Sequence, residues 1–144
     1  MKIIKVYKDV LVDTPKRMTD DAVGFDLASA ETITLYPGEI RKILTGLRFA
    51  VPVGCAMMIC TRSSTFMRGL HIGTGIIDPD YRGPVSIMTA NISSYSISIA
   101  RGDRIAQAIF IRVESSDLQV EVVDSLEDLG ATVRGGGGFG STGK

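Results

Sequence analysis

The sequence predicts an all-β protein: a jelly-roll-like antiparallel sandwich with at most one short helix and a flexible glycine-rich C-terminal arm. Short segments rich in Ile and Val recur about every 10–12 residues, and several alternate apolar and polar side chains as half-buried strands do. Gly- and Pro-containing turns separate them, and helical periodicity is weak. At 144 residues the chain is long enough for one domain with one sizeable core.

The predicted elements follow from these runs in chain order. The strands are KIIKVYKDVLV (2–12), TITLYPGEI (32–40), RKILTGLRFAVP (41–52), AMMICT (56–61), PVSIMTANIS (84–93), YSISIA (95–100), RIAQAIFIRV (104–113) and LQVEVV (118–123). Residues 64–70 predict one short helix, and residues 125–129 a single helical turn. We expect a β jelly-roll domain at residues 1–123 and an arm at residues 124–144.

Composition limits the classes of function. Sixteen basic and sixteen acidic residues give a formal net charge of zero, which argues against a general nucleic-acid binder and against a membrane-surface protein. No apolar run approaches 18 residues, and the N-terminus has no secretion-signal pattern. Cys55 and Cys60 are five residues apart, on opposite faces of a predicted strand, so a disulfide between them is not expected. Two reduced core cysteines predict a cytoplasmic protein, or a nuclear one if the source is eukaryotic or viral. His71 has no Cys or His neighbour at metal-ligand spacing, which argues against structural zinc.

Two segments carry polar groups that strands and turns do not need. In AVGFDLAS (22–29), Asp26 sits between apolar neighbours, and taken alone it reads as a turn aspartate that caps local amides. In TRSSTFMRG (61–69), Arg62 precedes two serines at the start of the predicted helix. That arrangement suits an anion, although an ordinary serine cap beside a surface arginine explains it equally well.

A third segment, GTGIIDPDYRG (73–83), combines glycines with an aspartate and a tyrosine. The two glycines around Thr74 could let a planar ligand meet the bare main chain. Asp78 follows two isoleucines, so it is expected to be partly buried, either as a paired structural group or as a general base. A hairpin with a Pro-Asp turn is the plainer alternative.

The last two segments are GDRIAQ (102–107) and RGGGGFGSTGK (134–144). The first opens a strand and reads as a tight turn. The second has six glycines around one phenylalanine, with Ser and Thr behind it, which is a phosphate cradle by type but lacks the frame of a P-loop. Together the five segments indicate a ligand with several anionic groups, a planar ring and a hydrated cation, which describes a nucleoside polyphosphate.

In this order and at these separations, the five segments resemble the five motifs of the trimeric dUTP diphosphatases (dUTPases). The resemblance spans residues 22–143. It implies a jelly-roll subunit in a homotrimer with three active sites at subunit interfaces. It also implies Mg²⁺-assisted hydrolysis of dUTP to dUMP and pyrophosphate, an activity that limits uracil incorporation into DNA and supplies dUMP for dTMP synthesis.

The resemblance also assigns roles to single residues. It implies that Asp78 is the general base for attack of water on the α-phosphorus, and that Asp26 orders waters around Mg²⁺. It also implies that Tyr81 packs on the deoxyribose and excludes a 2′-hydroxyl. The backbone that reads the uracil edge is Gly73, Thr74, Gly75 and Ile76, and Phe139 covers the uracil. The positions that match phosphate contacts are Arg62, Ser63, Ser64, Gln107, Arg134, Gly140, Ser141 and Thr142. The family commonly has proline where this chain has Thr61.

Two other functions compete with this reading. Arg62-Ser63-Ser64, Arg68 and Ile77-Asp78-Pro79 also resemble the dCTP deaminases of the same superfamily. Those enzymes need a glutamate ten residues after Asp78, where this chain has Met88. A thioether cannot shuttle a proton. A regulatory binding module would predict loss of a catalytic group, and all the expected groups are present, so catalysis is favoured while a second, regulatory role stays open.

Overall fold

The computed structural model describes residues 3–114, 118–133 and 135–136 of the chain. Within these ranges the protein forms ten strands, a five-residue α-helix and a 3₁₀ turn. The strands are β1 (Lys5–Lys8), β2 (Phe25–Ala28), β3 (Ile33–Leu35), β4 (Ile40–Ala50), β5 (Cys55–Thr61), β6 (Leu70–Ile72), β7 (Gly75–Ile77), β8 (Val85–Asn91), β9 (Ile97–Ile99) and β10 (Arg104–Arg112). Helix α1 is Ser63–Met67, and the 3₁₀ turn is Glu127–Leu129.

Two four-stranded antiparallel sheets face each other. The first has the order β1-β4-β8-β6 and the second the order β2-β10-β5-β7, while β3 and β9 form a separate two-stranded ribbon. Neighbouring strands in each sheet come from distant parts of the sequence, as in jelly-roll and Greek-key folds. The predicted all-β sandwich is therefore confirmed.

The core lies between the sheets and follows from period-two alternation. In β4 the side chains of Ile43, Thr45, Leu47 and Phe49 are buried, and the residues between them are not. The fully buried apolar side chains come from both sheets and the ribbon: Leu27, Leu35, Ile43, Met57, Ile59, Leu70, Ile72, Val85, Ile87, Ile99 and Ile105. This packing fixes the register of each strand, because a slip of one residue would turn its apolar side chains to solvent.

The predicted helical segments are present in shortened form. The helix predicted at residues 64–70 is α1, which begins one residue earlier and ends at Met67. Two residues later, Gly69 adopts a φ of +78°, which is outside the helical region. The turn predicted at residues 125–129 is the 3₁₀ turn Glu127–Leu129. Among the described residues, no helix is long and apolar enough to cross a membrane.

The strand predicted for LQVEVV at residues 118–123 is wrong for the single chain. Among the residues that the structure describes, the segment pairs with no strand, and Leu118, Val120 and Val122 are 70%, 97% and 89% exposed. Strands β2, β6 and β7 were not predicted, because each has only three or four residues. In addition, β6 ends just before Gly73 and β7 begins at Gly75, both glycines of the third motif. Their existence depends on pairing with the longer strands β10, β8 and β5.

Candidate active site

Asp26 lies between two arginines at the start of the second sheet. Its Oδ1 is 3.0 Å from Arg62 Nε and its Oδ2 is 3.2 Å from a terminal nitrogen of Arg104. The carboxylate is only 12% exposed, while the arginine side chains keep 24% and 47% of their surface in solvent. Arg62 also donates a 2.6 Å hydrogen bond to the carbonyl of Arg104. Two guanidiniums therefore share one carboxylate, and the cluster retains a net positive charge.

A β-bulge places Arg104 in this cluster. Ala106 pairs with Leu27 and Gln107 with Asp26, but Arg104 pairs with Ala28, so one extra residue is inserted in β10. In a regular strand Arg104 and Gln107 would point to opposite faces, because they are three residues apart. The bulge puts both on the face that carries Asp26. The GDRIAQ segment was predicted to supply only Gln107, and the structure adds Arg104.

Gln107 is held between the first and second motifs. Its Nε2 donates a 3.1 Å hydrogen bond to the carbonyl of Thr61, the residue before Arg62. Its Oε1 occupies the space beside Gly24, where a Cβ would lie only 2.5 Å away. Gly24 thus leaves room for the Gln107 amide, and the amide in turn lies next to Asp26 across the β2–β10 pair.

The three arginines near helix α1 border a groove of about 420 Å³. Its lining comprises Arg62, Ser64, Thr65, Arg68, Gly102, Asp103 and Arg104. Ser63 and Ser64 form the exposed first turn of α1, with Arg62 in extended backbone geometry ahead of it. Guanidinium forks and hydroxyls facing one groove suit an anion with several oxygens, such as a polyphosphate.

Burial raises the pKa of the Cys60 thiol above its ordinary value. Cys60 pairs with Gln107 in the β5–β10 ladder, and its Sγ lies 3.9 Å from the Gln107 carbonyl. A raised pKa disfavours the reactive thiolate, so the position of Cys60 suits a packing residue beside the cluster.

The third motif connects the two sheets. Strand β6 pairs with β8 in the first sheet, β7 pairs with β5 in the second, and Gly73 and Thr74 span the gap. The amide of Gly73 donates a 2.9 Å hydrogen bond to the carbonyl of Met88. Built Cβ atoms at Gly73 and Gly75 would lie 3.5 Å and 3.7 Å from the Met88 side chain. The backbone of residues 73–76 therefore runs beside Met88, at the place where a deaminase would need a glutamate.

Asp78 and Tyr81 lie in the loop after β7. The amide of Tyr81 donates to the Asp78 carbonyl over 3.2 Å, and Tyr81 Oη donates to the carbonyl of Pro84 over 3.1 Å. Tyr81 is 42% exposed, and Asp78 is exposed where partial burial had been predicted. The residue was expected to be shielded by the isoleucines before it, but those belong to β7, at the edge of the second sheet.

The strand register separates Asp78 from the arginine cluster within one chain. Asp26 and β7 lie at opposite edges of the second sheet, three strand spacings of about 4.8 Å apart, or roughly 14 Å. Along the strand direction, Asp26 lies level with Cys60, whereas Ile77, the last residue of β7, pairs with Met57. Three residues at 3.3 Å each add a further separation of about 10 Å. One chain thus carries the two groups of predicted site residues as separate halves.

The side chains around Asp26 determine whether a magnesium ion could bind there. Within residues 3–114, 118–133 and 135–136, no group of three or more His, Cys, Asp or Glu side chains could hold a metal ion. The Asp26 oxygens each contact an arginine, which leaves other lone pairs for water. Mg²⁺ often binds through one carboxylate and substrate phosphates, and the residues present fit an ion carried mainly by a triphosphate.

Five predicted site residues lie outside the described part of the chain: Arg134, Phe139, Gly140, Ser141 and Thr142. The structure brings together Asp26, Arg62 and Gln107, with Ser63 and Ser64 beside them. It adds Arg68 and Arg104 through the shared groove. Sequence reasoning assigned no contact role to Arg104, because its place depends on a bulge that leaves no signature in the sequence.

Comparisons with known proteins agree with this architecture. The family model described as dUTPase matches residues 11–143. The deoxyuridine 5′-triphosphate nucleotidohydrolase of Nautilia profundicola is 40% identical over 147 residues, an alignment that covers 100% of this chain and 99% of that protein.

Solved structures agree as well. The dUTPase of Staphylococcus bacteriophage 80alpha, solved as a glycine-to-serine mutant with dUpNHpp, has a TM-score of 0.91 and 25% identity, with 100% of both chains covered. A mutant dUTPase from phage phi11 of S. aureus, solved to describe the coordination of a structural Mg(II) ion, shares the fold, with a TM-score of 0.80 at 23% identity over 88% of this chain and 99% of that chain. This chain therefore belongs to the dUTPase family and is an enzyme of the dUTP diphosphatase type.

Proposed function

We propose that this enzyme hydrolyses dUTP to dUMP and pyrophosphate by attack of a water molecule on the α-phosphorus. The observation that carries the proposal is the pair of guanidiniums around Asp26, which opens with Ser64 and Arg68 onto one groove. The groove offers charge-assisted donors to several phosphate oxygens at once. Binding by Arg62, Ser63, Ser64 and Gln107 would hold the triphosphate in a fixed orientation.

Asp78 is the general base in this proposal. Its carboxylate accepts a proton from the attacking water, the new P–O bond forms, and the bond from the α-phosphorus to the bridging oxygen breaks to release pyrophosphate. The exposure of Asp78 in the single chain supports this role, since a base must be reachable by water. Tyr81 would pack on the deoxyribose and leave no room for a 2′-hydroxyl, and the backbone of residues 73–76 would read the uracil edge.

Mg²⁺ is proposed as the cofactor. When bound, it would neutralise charge on the triphosphate oxygens. Asp26 is the residue that would order waters around it. The neighbouring arginines keep the Asp26 side chain in place through both carboxylate oxygens.

A homotrimer is the assembly that this separation of half-sites supports. Asp78 of one subunit would face the arginine cluster of another, and closed rotational symmetry would give three equal sites. The exposed apolar side chains of residues 118–123 support association as well. They pair with no strand in the described part of the chain, and such alternating apolar residues favour burial against another chain.

The C-terminal arm, residues 124–144 in the proposed domain division, completes the site in this proposal. Arg134 would contact the γ-phosphate, Phe139 would cover the uracil, and Gly140, Ser141 and Thr142 would contact phosphates. Closure would exclude bulk water and strengthen each charge contact. The activity would limit uracil incorporation into DNA and supply dUMP, in the cytoplasm or, in a eukaryotic or viral setting, the nucleus.

The test is to supply each deoxynucleoside triphosphate separately with Mg²⁺ and to measure pyrophosphate release. Release from dUTP alone is the expected result. Ammonia release from dCTP would instead support deamination, which the position of Met88 beside Gly73 and Gly75 argues against. Absence of any product from dUTP would overturn the proposal.

A further inference from the structure

We propose that Gly83 is a positioning residue that determines where the ring of Tyr81 lies, and that it thereby controls discrimination between dUTP and UTP. The inference rests on the sugar-facing role proposed above for Tyr81. It adds a second specificity-determining position to the site, one that would not touch the nucleotide itself.

The Tyr81 ring lies directly on the backbone of Gly83. A Cβ built at Gly83 would be 2.2 Å from Tyr81 Oη, 2.4 Å from Cζ and 2.8 Å from Cε2. Carbon atoms do not approach other heavy atoms this closely without a bond. The φ of Gly83 is not in the left-handed region, so the ring, and not the main-chain conformation, is what requires glycine here.

The far end of the ring is anchored as well. Tyr81 Oη donates a 3.1 Å hydrogen bond to the carbonyl of Pro84, the residue after Gly83. The ring therefore extends across Gly83 from its own Cα to Pro84. With 42% of Tyr81 exposed, part of its surface remains available to a ligand.

The surrounding loop is held in place by its own hydrogen bonds. The Tyr81 amide donates to the Asp78 carbonyl over 3.2 Å, and Arg82 donates to the carbonyls of Pro79 and Tyr81 over 2.6 and 2.8 Å. Arg48, on β4, donates to the Arg82 carbonyl over 3.2 Å. A methyl group added at position 83 would therefore be accommodated by the ring, whose two torsions are easier to change than this backbone.

A displaced ring would leave space where the ribose 2′-hydroxyl of UTP has to fit. Removal of that steric barrier lowers specificity because discrimination depends on the difference in transition-state binding between the two substrates. The effect of Gly83→Ala should therefore appear in the dUTP/UTP ratio of kcat/KM and not only in overall activity.

The experiment measures kcat/KM for dUTP and UTP in the wild type, Gly83→Ala, Tyr81→Ala and the double variant. We expect Gly83→Ala to lower the dUTP/UTP ratio roughly ten-fold. In the Tyr81→Ala background the same change should alter the ratio by no more than about two-fold, because the ring through which it acts is absent.

Gly24→Ala is the matched control. Its Cβ would lie 2.5 Å from Gln107 Oε1, which is a similar clash with a site side chain on the phosphate side. It should lower kcat/KM for both nucleotides and leave their ratio unchanged. Tyr81→Phe is the second variant, because it keeps the ring and removes only the bond to Pro84; it should lower the ratio by a smaller factor even if Gly83→Ala does not fold.

Two outcomes would overturn the inference while leaving the proposed function intact. One is a dUTP/UTP ratio that falls in Tyr81→Ala but not in Gly83→Ala or Tyr81→Phe. The other is a full, additive effect of Gly83→Ala in the Tyr81→Ala background. If Tyr81→Ala itself leaves the ratio unchanged, the sugar-facing role of Tyr81 is wrong, and a crystal structure of Gly83→Ala with an unmoved ring would then reject the positioning role separately.

Discussion

The side-chain hydroxyl of Thr61 and the main chain of Ile72 exchange two hydrogen bonds of 3.0 Å each. Thr61 Oγ1 donates to the Ile72 carbonyl and accepts from the Ile72 amide. The pair joins the end of β5, next to Arg62, to the strand that leads into Gly73. A proline, common at this position in the family that the sequence resembles, has neither hydroxyl nor side-chain acceptor and could make neither bond.

Thr61→Val should therefore destabilise the fold. Valine has nearly the same shape, but it leaves the Ile72 amide without its partner, which costs about 1–3 kcal/mol in the free energy of unfolding. Denaturant unfolding measures this difference. Thr34→Val is the control: Thr34 lies in an exposed position with a 3.5 Å contact to Ser98, and its change should stay within about 0.5 kcal/mol. Equal effects of the two substitutions would contradict this account of Thr61.

Arg104→Ala should weaken nucleotide binding much more than it affects stability. Its ion pair with Asp26 is about half exposed on the arginine side, and surface pairs of this kind contribute about 0–1 kcal/mol. A charge-assisted contact to phosphate is worth roughly 1.5–3 kcal/mol, so KM for dUTP should rise about ten-fold or more. Steady-state kinetics with thermal unfolding separates the two effects.

Arg41→Ala is the control for Arg104→Ala. Arg41 is similarly exposed and is paired with Glu39 on the first sheet. It should leave KM within about two-fold of the wild type. A rise in KM shared by both variants would show that net charge, and not the position of Arg104, is responsible.

Asp78→Asn should retain the fold and lose most of the activity. The amide is similar in size but cannot accept the proton of the attacking water, and loss of a general base typically lowers kcat by about 10²–10⁴-fold. Asp80→Asn, an exposed aspartate two residues away, controls for the change in charge. Turnover by Asp78→Asn within a few-fold of Asp80→Asn would exclude Asp78 as the base.

The long strands of this fold are predictable from the sequence, whereas pairing between distant segments is not. Strands β4, β5 and β10 are predictable because each is long and its own apolar pattern determines it. The segment 118–123 has an equally clear pattern but pairs with no strand among the described residues, so alternation alone did not make it a strand. Local patterns report which residues could pair, and they contain no information on whether a partner is present.

The contacts within the arginine cluster are likewise not predictable from local sequence patterns. Arg62 and Asp26 are 36 positions apart in sequence and meet only because β2 and β5 pair with opposite sides of β10. The motifs indicated both residues, but the ion pair between them is a property of the sheet order. Arg104 was missed because its direction depends on the bulge at Ile105, and Gly83 because its role depends on the position of the Tyr81 ring.

The separation of half-sites predicts that activity depends on assembly. Sedimentation of the active enzyme should give a trimer, and specific activity should fall on dilution below the concentration at which the trimer dissociates. Full activity per chain in a sample shown to be monomeric would rule out the shared-site arrangement. The measurement needs the full chain, because residues 118–133 carry the exposed apolar side chains.

Truncation after Val133 should reduce activity while leaving ligand-free thermal stability nearly unchanged, since the ten described strands all end before residue 113. The truncated chain lacks the proposed contacts of Arg134 and Phe139. Stacking of an aromatic ring on a base is worth about 1–3 kcal/mol, and the cost of ordering a glycine-rich segment opposes it, so the net loss in binding should be smaller than the contacts alone suggest. If the arm mainly completes the transition-state site, kcat should fall by a larger factor than KM rises.

Phe139→Trp gives a direct readout of the arm, because the chain has no other tryptophan. Stacking on the uracil should change its fluorescence when a non-hydrolysable dUTP analogue is added with Mg²⁺. The change should be much smaller with dUMP, which has no γ-phosphate for Arg134 to contact. In an Arg134→Ala background the response to the analogue should fall towards that of dUMP, because the charge contact that favours closure is absent. A signal of equal size for both nucleotides, or full activity in the truncated enzyme, would show that the arm does not close over the triphosphate.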